Sequence, residues 1–259
     1  MKKRLCIIIG ILTAGAWGSS AQLHDNGFAF KDGEELKYVV SYRAKLIKDA
    51  EMGEVYIGVK EEALNGRRAM RVNAYAKVIG AFRWFYKLDD YYHTWLDYKT
   101  GLPVKSQANL REGSWRFNSE YIYDWKEMIS HNRMRNPKWD EDRTRDVELV
   151  KGAMDGVPLF YTLRSSDLTA YRINEERVLN LLLDREIKQI KYKYFGKEEI
   201  EVKDIGKVKT IKFSCQLITS QGSFEDGTEF FLWITDDANR IPIYLESPIK
   251  VGSIRVRLV

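Results

Sequence analysis

The sequence predicts a mainly β (α+β) protein, a curved antiparallel sheet or half-barrel with one or two covering helices. Apolar and polar residues alternate through most of the chain, as in LKYVVSYR at 36–43, which is typical of half-buried strands. The connections between such runs are short, and short connections favour antiparallel pairing because parallel strands need long crossovers. Only two segments have helical spacing, so we expect helices to cover a sheet.

The alternating runs follow one another along the whole chain. The predicted strands are 36–43, 53–59, 69–78, 91–97, 103–110, 115–126, 127–134, 177–184, 186–195, 207–218, 229–235, 241–247 and 253–259. Asn65-Gly66, between the second and third runs, is the preferred dipeptide of a tight hairpin.

The two helical segments are 79–88 and 157–168. In the first, Ile79, Phe82 and Tyr86 have helical spacing and would share one face. The second follows Asp155, a suitable N-cap, and has Pro158 near its first turn.

The N-terminus, MKKRLCIIIGILTAGAWGSSAQ, has a basic start, a short apolar stretch and small residues, as a secretory signal peptide does. Ser19 and Ala21 fit the cleavage pattern, so we expect a signal over residues 1–21 and a single β-rich domain over 22–259. The alternative, a membrane anchor, is disfavoured because the apolar run is shorter than the roughly 20 residues of a spanning helix. The mature chain is predicted to be soluble, without a transmembrane segment, and periplasmic or secreted.

Removing the signal leaves one cysteine, Cys215, because Cys6 belongs to the removed segment. No intramolecular disulfide can form, and Cys215 is predicted to be a small buried residue of a strand. Removal also takes away three basic residues, which lowers the formal net charge from +5 to +2. The densest basic stretch, HNRMRNPKWDEDRTRD, is diluted by acids and predicts a solvated hairpin, so nucleic-acid binding is not expected.

Two segments, DYKTGLPV at 97–104 and DDANRIPI at 236–243, share an Asp, four residues, an aliphatic residue and a proline. An aspartate at the start of a turn accepts backbone hydrogen bonds, and a proline tolerates the first position of a strand. Asp97, Pro103, Asp236 and Pro242 are therefore predicted to form structural turns. The alternative, an acid/base pair of Asp236 and Asp237, is disfavoured because adjacent residues usually point to different sides.

No motif predicts catalysis, a cofactor or a metal site. The three histidines, His24, His93 and His131, lack metal-ligand spacing, and there is no nucleophile elbow or phosphate-binding loop. Asp and Glu pairs are numerous, so a carboxylate-dependent hydrolase stays open without named residues.

Aromatic residues are dense over 82–95, with seven in fourteen residues, and in the strand that starts at Trp115 four of them have one parity and hence one face. They are predicted either to fill the core or to line a groove for an apolar or sugar-like ligand. The candidate ligand-binding residues are Trp84, Tyr86, Tyr91, Trp115, Phe117, Tyr121 and Tyr123.

Several turn and strand signatures resemble those of the DUF3108 family of exported bacterial proteins. These signatures are Phe30 with 33–38, residues 97–103, Trp233 to Asp237 with 240–242, and 252–254. The resemblance implies a family without established activity, so no catalytic residue can be transferred. The Asp to Leu-Pro turn also resembles the periplasmic lipoprotein carriers LolA and LolB, whose half-barrels shelter acyl chains, which would make the aromatic face a concave ligand site.

The leading functional hypothesis is an exported, non-enzymatic protein that binds an apolar ligand or an envelope component. The second is an interaction module that docks another envelope protein through strand edges or an aromatic patch. The third is a carboxylate-dependent polysaccharide hydrolase. Possible partners are a lipid, a glycan or an envelope protein, and the sequence leaves the oligomeric state open.

Overall fold

A computed structural model describes residues 27–166, 171–183, 186–218 and 229–259. The predicted signal peptide lies outside the described residues. The strands are β1 Glu35–Ala44, β2 Ile47–Leu64, β3 Arg67–Val78, β4 Asp89–Asp97, β5 Pro103–Glu112, β6 Trp115–Asp124, β7 Ile129–Arg135, β8 Arg143–Glu148, β9 Glu176–Leu183, β10 Glu186–Val202, β11 Gly206–Ile218, β12 Glu229–Thr235, β13 Pro242–Pro248 and β14 Ser253–Leu258. The described helices are α1 (Gly156–Arg164) and a short 3₁₀ helix (Gly80–Trp84).

The strands form one 14-stranded sheet in the order β8-β7-β6-β5-β4-β3-β2-β1-β14-β13-β12-β11-β10-β9. Neighbouring strands are all antiparallel, which confirms the prediction from short connections. The order contains two meanders, β1 to β8 and β9 to β14. They meet along a seam between β1 and β14, where Tyr38 pairs with Leu258 and Arg43 with Ser253.

The sheet is curved, because strands far apart in its order pack together. A buried cluster joins Tyr121 on β6 and Val147 on β8 with Leu182 on β9. The segment between β8 and α1 helps to bridge the gap, since the Leu182 amide donates to the Met154 carbonyl at 2.9 Å. Within the described residues β8 and β9 do not pair with each other, so the sheet is curved but not closed.

Helix α1 packs against the inward face of the sheet. The Asp155 carboxylate caps it by accepting a hydrogen bond from the Val157 amide at 3.3 Å, and Pro158 lies in the first turn, as predicted. Phe160 and Leu163 are buried in the main core among inward-facing strand residues. The prediction of a covering helix is confirmed, although the helix ends at Arg164 and the last two residues of the predicted span, 167–168, lie outside the described residues.

A buried guanidinium fixes the C-terminal end of α1. The Arg164 side chain is fully buried and donates to both carboxylate oxygens of Glu34, at 2.6 and 2.7 Å. It also donates to the carbonyl oxygens of Ala29 and Asn239, both at 3.1 Å. These bonds hold together the N-terminal segment, α1 and the β12/β13 turn.

Antiparallel connections alternate between two ends of the sheet. The connections after β1, β3, β5, β7 and β13 lie at one end, which we call the tip end. The connections after β2, β4, β6, β10 and β12 lie at the other, together with residues 27–34 and the Arg164 cluster. We call this the helix end, because α1 is anchored there.

The prediction of an α-helix over 79–88 is wrong. Only Gly80–Trp84 are helical, in the tighter 3₁₀ form, and none of these residues is buried. Gly80 has a φ of +57°, which is incompatible with an α-helix. Phe82 and Tyr86 nevertheless pack against the core. Their spacing therefore reflects two separate contacts that the β3/β4 connection makes with the core, and not one face of a helix.

Two local predictions are confirmed. Asn65 and Gly66 have φ values of +50° and +76° and join the paired residues Leu64 and Arg67 in a two-residue hairpin. Cys215, on β11, is a buried free cysteine.

The two aspartate-to-proline segments both form turns at the helix end, but different positions close them. Asp97 Oδ1 accepts hydrogen bonds from the amides two and three residues on, at 3.0 and 2.8 Å. In the second turn the corresponding acceptor is Asp237, while Asp236 pairs with Lys197. The second turn is one residue longer, because the Thr235 amide bonds to the Ile241 carbonyl over six residues, whereas in the first turn the bond spans five. Pro103 and Pro242 each begin the next strand.

Candidate ligand-binding site

Three of the predicted aromatic residues come together on the inward face at the tip end. Trp115 and Phe117 on β6 stack with their ring centroids 5.4 Å apart. Tyr86 donates its hydroxyl to the carboxylate of Glu112, which is the register partner of Trp115. We call Tyr86, Glu112, Trp115 and Phe117 the mouth cluster. Trp115 remains 36% exposed, so the cluster is accessible to solvent although its strand parity points inward.

The other four predicted residues lie elsewhere. Trp84 is 90% exposed in the connection between β3 and β4. Tyr91 has the opposite parity to the inward residues of β4 and stacks on Tyr75, 4.5 Å away. Tyr121 and Tyr123 share the inward face with Trp115, as predicted, but they are buried in the cluster that joins β6 to β9. The seven residues therefore do not form one site.

Two inward carboxyl groups lie at this end, Glu112 within the mouth cluster and Asp90 outside it, and sequence reasoning missed both. Asp90 is fully buried and accepts a hydrogen bond from the Arg111 amide at 2.8 Å. Burial raises the pKa of Asp90 to about 6, and the nearby charge of Asp89 raises it further. Burial likewise raises the pKa of Glu112 to about 7. The available signal was strand parity, since Asp90 shares the parity of the inward-facing Leu96.

These shifts make the two carboxyls unusual near neutral pH. A carboxyl with a pKa of about 7 is present in both forms, so Glu112 can accept hydrogen bonds and, when protonated, can donate one. Burial and the charge of Asp90 raise the pKa of the Tyr86 phenol, which remains a hydrogen-bond donor. The mouth cluster thus combines an aromatic stack with polar groups that can orient a ligand.

A deeper polar pair links the sheet to the cap of α1. The Tyr123 hydroxyl donates to Asp155 Oδ2 at 2.7 Å and accepts from the Asp155 amide at 3.1 Å. Both side chains already have partners, so this pair is structural rather than a free binding group.

A small cavity of about 160 Å³ lies at the helix end, between the N-terminal segment and α1. Phe28, Phe30, Leu96, Leu102 and Tyr161 contribute to its lining, and none of the seven predicted residues does. Its volume is below the roughly 300–1,000 Å³ of ordinary ligand pockets. The cavity is therefore too small for an acyl chain.

The histidines in the described part have ordinary partners. His93 Nδ1 is 2.6 Å from Asn73 Oδ1, and His131 Nδ1 is 2.8 Å from Asp146 Oδ1. Among the described residues no group of three or more His, Cys, Asp or Glu is placed to hold a metal ion. In the same residues no helix is long and apolar enough to cross a membrane.

A family model described as a protein of unknown function, DUF3108, matches residues 37–259. The chain belongs to the DUF3108 family. A β-barrel-like protein of the DUF1849 domain from Brucella abortus resembles this DUF3108 chain with 9% identity and a TM-score of 0.56, over 87% of this chain and 94% of that one. It supports the curved β fold alone. A candidate exported protein with a YmcC-like fold from Bacteroides fragilis has 8% identity and a TM-score of 0.37, over 90% and 98%, which is too low to bear on the fold. The comparison with curated proteins found no match.

The DUF3108 signatures recognised in the sequence are structural in this chain. Glu34 holds Arg164, Asp97 closes a turn, and Gly252 lies at the β1/β14 seam. No residue of the mouth cluster belongs to these signatures. The resemblance to LolA and LolB stays a prediction.

The raised pKa of Glu112 predicts that stability depends on pH. The native pKa, about 7, lies above the ordinary value of 4.5, so the native state binds the proton more tightly than the unfolded state. The resulting stabilisation is complete below about pH 4.5 and is lost as pH rises through about 7. Glu112→Gln removes this titration, so we expect a flatter curve of unfolding free energy between about pH 5 and pH 8. The change should reach about 3 kcal/mol, since one pKa unit corresponds to about 1.4 kcal/mol.

Urea unfolding across this pH range measures the effect, and Glu120→Gln is the matched control. A hydrogen bond from Lys105 lowers the pKa of Glu120, so its stabilising effect is lost as pH falls. The Glu120→Gln variant should therefore keep the decline between about pH 5 and pH 8. An unchanged slope in Glu112→Gln would contradict the raised pKa.

Proposed function

We propose that this is an exported, non-enzymatic protein that binds an apolar ligand, such as a lipid of the cell envelope, at the mouth cluster. The N-terminal sequence over residues 1–21 supports export. The observation that carries the binding proposal is the stack of Trp115 and Phe117, which faces inward and yet stays partly exposed.

Incomplete burial leaves apolar surface for a ligand to cover. An aromatic side chain buries about 150–250 Å² when it is fully enclosed. At about 25 cal/mol per Å², covering the exposed third of Trp115 would contribute about 1–2 kcal/mol. Inward-facing residues such as Tyr121, nearer the helix end, are already covered by the chain itself. The tip end of the interior is therefore the better place for an apolar ligand.

The polar pair beside the aromatic stack could orient a bound ligand. Tyr86 and Glu112 are joined by a hydrogen bond at the edge of the aromatic surface. A ligand with an apolar body and a polar group could lie on Trp115 and Phe117 while its polar group bonds to Glu112. This arrangement suits an amphiphile better than a pure hydrocarbon.

The two other hypotheses have less support. The edge strand β8 is short and mostly charged, which is how proteins protect an edge from pairing. Met154 forms an isolated parallel β-bridge with Leu181 on β9, which partly covers the other edge. A hydrolase would need catalytic carboxyls, and the buried Glu112 and Asp90 would be the candidates, but Tyr86 and the Arg111 amide already bond to them.

Native mass spectrometry tests the proposal on protein purified from the cells that export it. We expect a bound molecule, seen as added mass, that is released on denaturation. Chemical identification of the released molecule would distinguish a lipid from a glycan. The double variant Trp115→Ala with Phe117→Ala should lose this mass and bind the apolar probe N-phenyl-1-naphthylamine at least about tenfold more weakly, as expected for the loss of about 1–2 kcal/mol from each ring.

The control is Ile122→Ala, on the same strand but the opposite face, where the side chain is 45% exposed. It should keep both the bound mass and the probe affinity. An empty wild-type protein whose probe binding is unaffected by the double variant would rule the proposal out.

A further inference from the structure

We propose that the tip end of the sheet docks onto an anionic lipid bilayer through two adjacent turns. The first turn is 45–46, between β1 and β2, which we take together with Ile47 and Lys48 at the start of β2, and the second is 249–252, between β13 and β14. We call these residues the tip patch. This inference rests on the exposure and charge of these turns and does not depend on what the mouth cluster binds.

The two turns form one preformed unit at the β1/β14 seam. The Tyr42 hydroxyl donates to the Val251 carbonyl at 3.0 Å. Gly252 packs so closely on Arg43 that a Cβ there would lie 1.9 Å from the Arg43 carbonyl oxygen. The Ile249 amide also closes its own turn on the Gly252 carbonyl at 3.0 Å. Docking would therefore require little ordering of these backbones.

The tip patch projects aliphatic side chains where turns are usually polar. Leu46 is 93% exposed and Val251 is 68% exposed, while Ile47 and Ile249 are 43% and 42% exposed. All four lie in the two turns or at their ends, and the fold itself leaves them uncovered. Clustered exposed aliphatic groups of this kind mark an interaction surface.

The charge around these side chains favours an anionic surface. Residues 43–50 and 246–255 contain five basic and two acidic side chains. The two acids, Asp49 and Glu246, both pair with Arg255, at 3.2 and 3.0 Å. Lys45 and Lys48 are exposed and make no ion pair with other described residues. Aliphatic groups flanked by lysines match the boundary between acyl chains and anionic headgroups.

A second apolar projection lies at the same end. Trp84 and Phe85, in the connection between β3 and β4, are 90% and 88% exposed. The Ile79 amide bonds to the Met52 carbonyl at 2.9 Å, which fixes this connection beside β2. Aromatic side chains are favoured at membrane interfaces, so this projection suits a bilayer as well. Docking would place the mouth cluster near the lipid surface, since both lie at the tip end.

Vesicle co-sedimentation tests the proposal with protein expressed as the full chain, so that the cell processes its N-terminus. We expect binding to vesicles of phosphatidylethanolamine and phosphatidylglycerol, and little binding to phosphatidylcholine alone. The variant Leu46→Ser with Val251→Ser should bind the anionic vesicles at least about tenfold more weakly. Lys45→Gln and Lys48→Gln should each weaken binding to the anionic vesicles about fivefold. Added salt should weaken this binding too, because it screens the attraction between the lysines and the headgroups.

Ile205→Ser is the matched control, because Ile205 is a 42% exposed aliphatic residue in a lysine-flanked turn at the helix end. Its binding should equal that of the wild type. The proposal is overturned if the wild type does not bind the anionic vesicles, or if the tip variant binds as well as the Ile205 control. Because the readout is vesicle binding, failure here leaves the test of the mouth cluster unaffected.

Discussion

Replacing Arg164 with leucine is expected to cost about 3–5 kcal/mol of unfolding free energy, the largest effect of any single change we describe. Leucine fills part of the space but leaves the Glu34 carboxylate, whose side chain is only 14% exposed, without its bidentate partner. The change also removes the donors to two backbone carbonyls. Urea unfolding followed by tryptophan fluorescence measures the loss, which is a large share of the roughly 5–15 kcal/mol of a typical domain.

Arg135→Leu is the control, because Arg135 pairs with Asp142 while it is 47% exposed, and such pairs contribute less than about 1 kcal/mol. Arg164→Lys keeps the charge but loses the planar fork, so it should fall between the two. If Arg164→Leu were no less stable than the Arg135 variant, the buried cluster would not be what anchors α1.

Gly252→Ala is expected to destabilise the protein by about 3 kcal/mol or more. Gly252 has a φ of +88°, which costs another residue about 1–3 kcal/mol. The added Cβ would also lie 1.9 Å from the Arg43 carbonyl oxygen, so the seam between β1 and β14 must shift. Amide hydrogen exchange should show lost protection on β1 and β14 first.

Gly113→Ala separates the two causes. Gly113 also has a positive φ, +56°, but no atom lies within 4 Å of the position its Cβ would take. It should therefore show the conformational cost alone, about 1 kcal/mol. Equal losses in the two variants would mean that the close packing at the seam is not a constraint.

Alternation was enough to predict most of the sheet, because strands such as β7 and β14 bury alternate residues and hence one face. The connection over 79–88 could not be predicted in this way. Phe82 and Tyr86 have helical spacing, yet each packs separately against the core, and Gly80 breaks the backbone pattern. Arg164 ends a helix, where a solvated side chain would be usual, and its burial depends on Glu34, 130 residues earlier.

The candidate site was only partly predictable for a similar reason. Parity placed Trp115 and Phe117 on one face with Tyr121, but it could not show which of them the rest of the chain would cover. Asp90 and Glu112 look like ordinary surface acids until the curvature of the sheet turns them inward. Contacts between elements far apart in sequence decide both questions.

The seam between β1 and β14 also sets an order of events for the nascent polypeptide. The first described strand completes its hydrogen bonds only when the last one arrives, after more than 200 residues have been synthesised. Until then the N-terminal meander has an open edge on β1, and such edges invite pairing with other chains. Strands that are this far apart in sequence also pair slowly during folding. We therefore expect the sheet to be completed late in folding. Until β14 pairs with β1, the chain should need protection from aggregation.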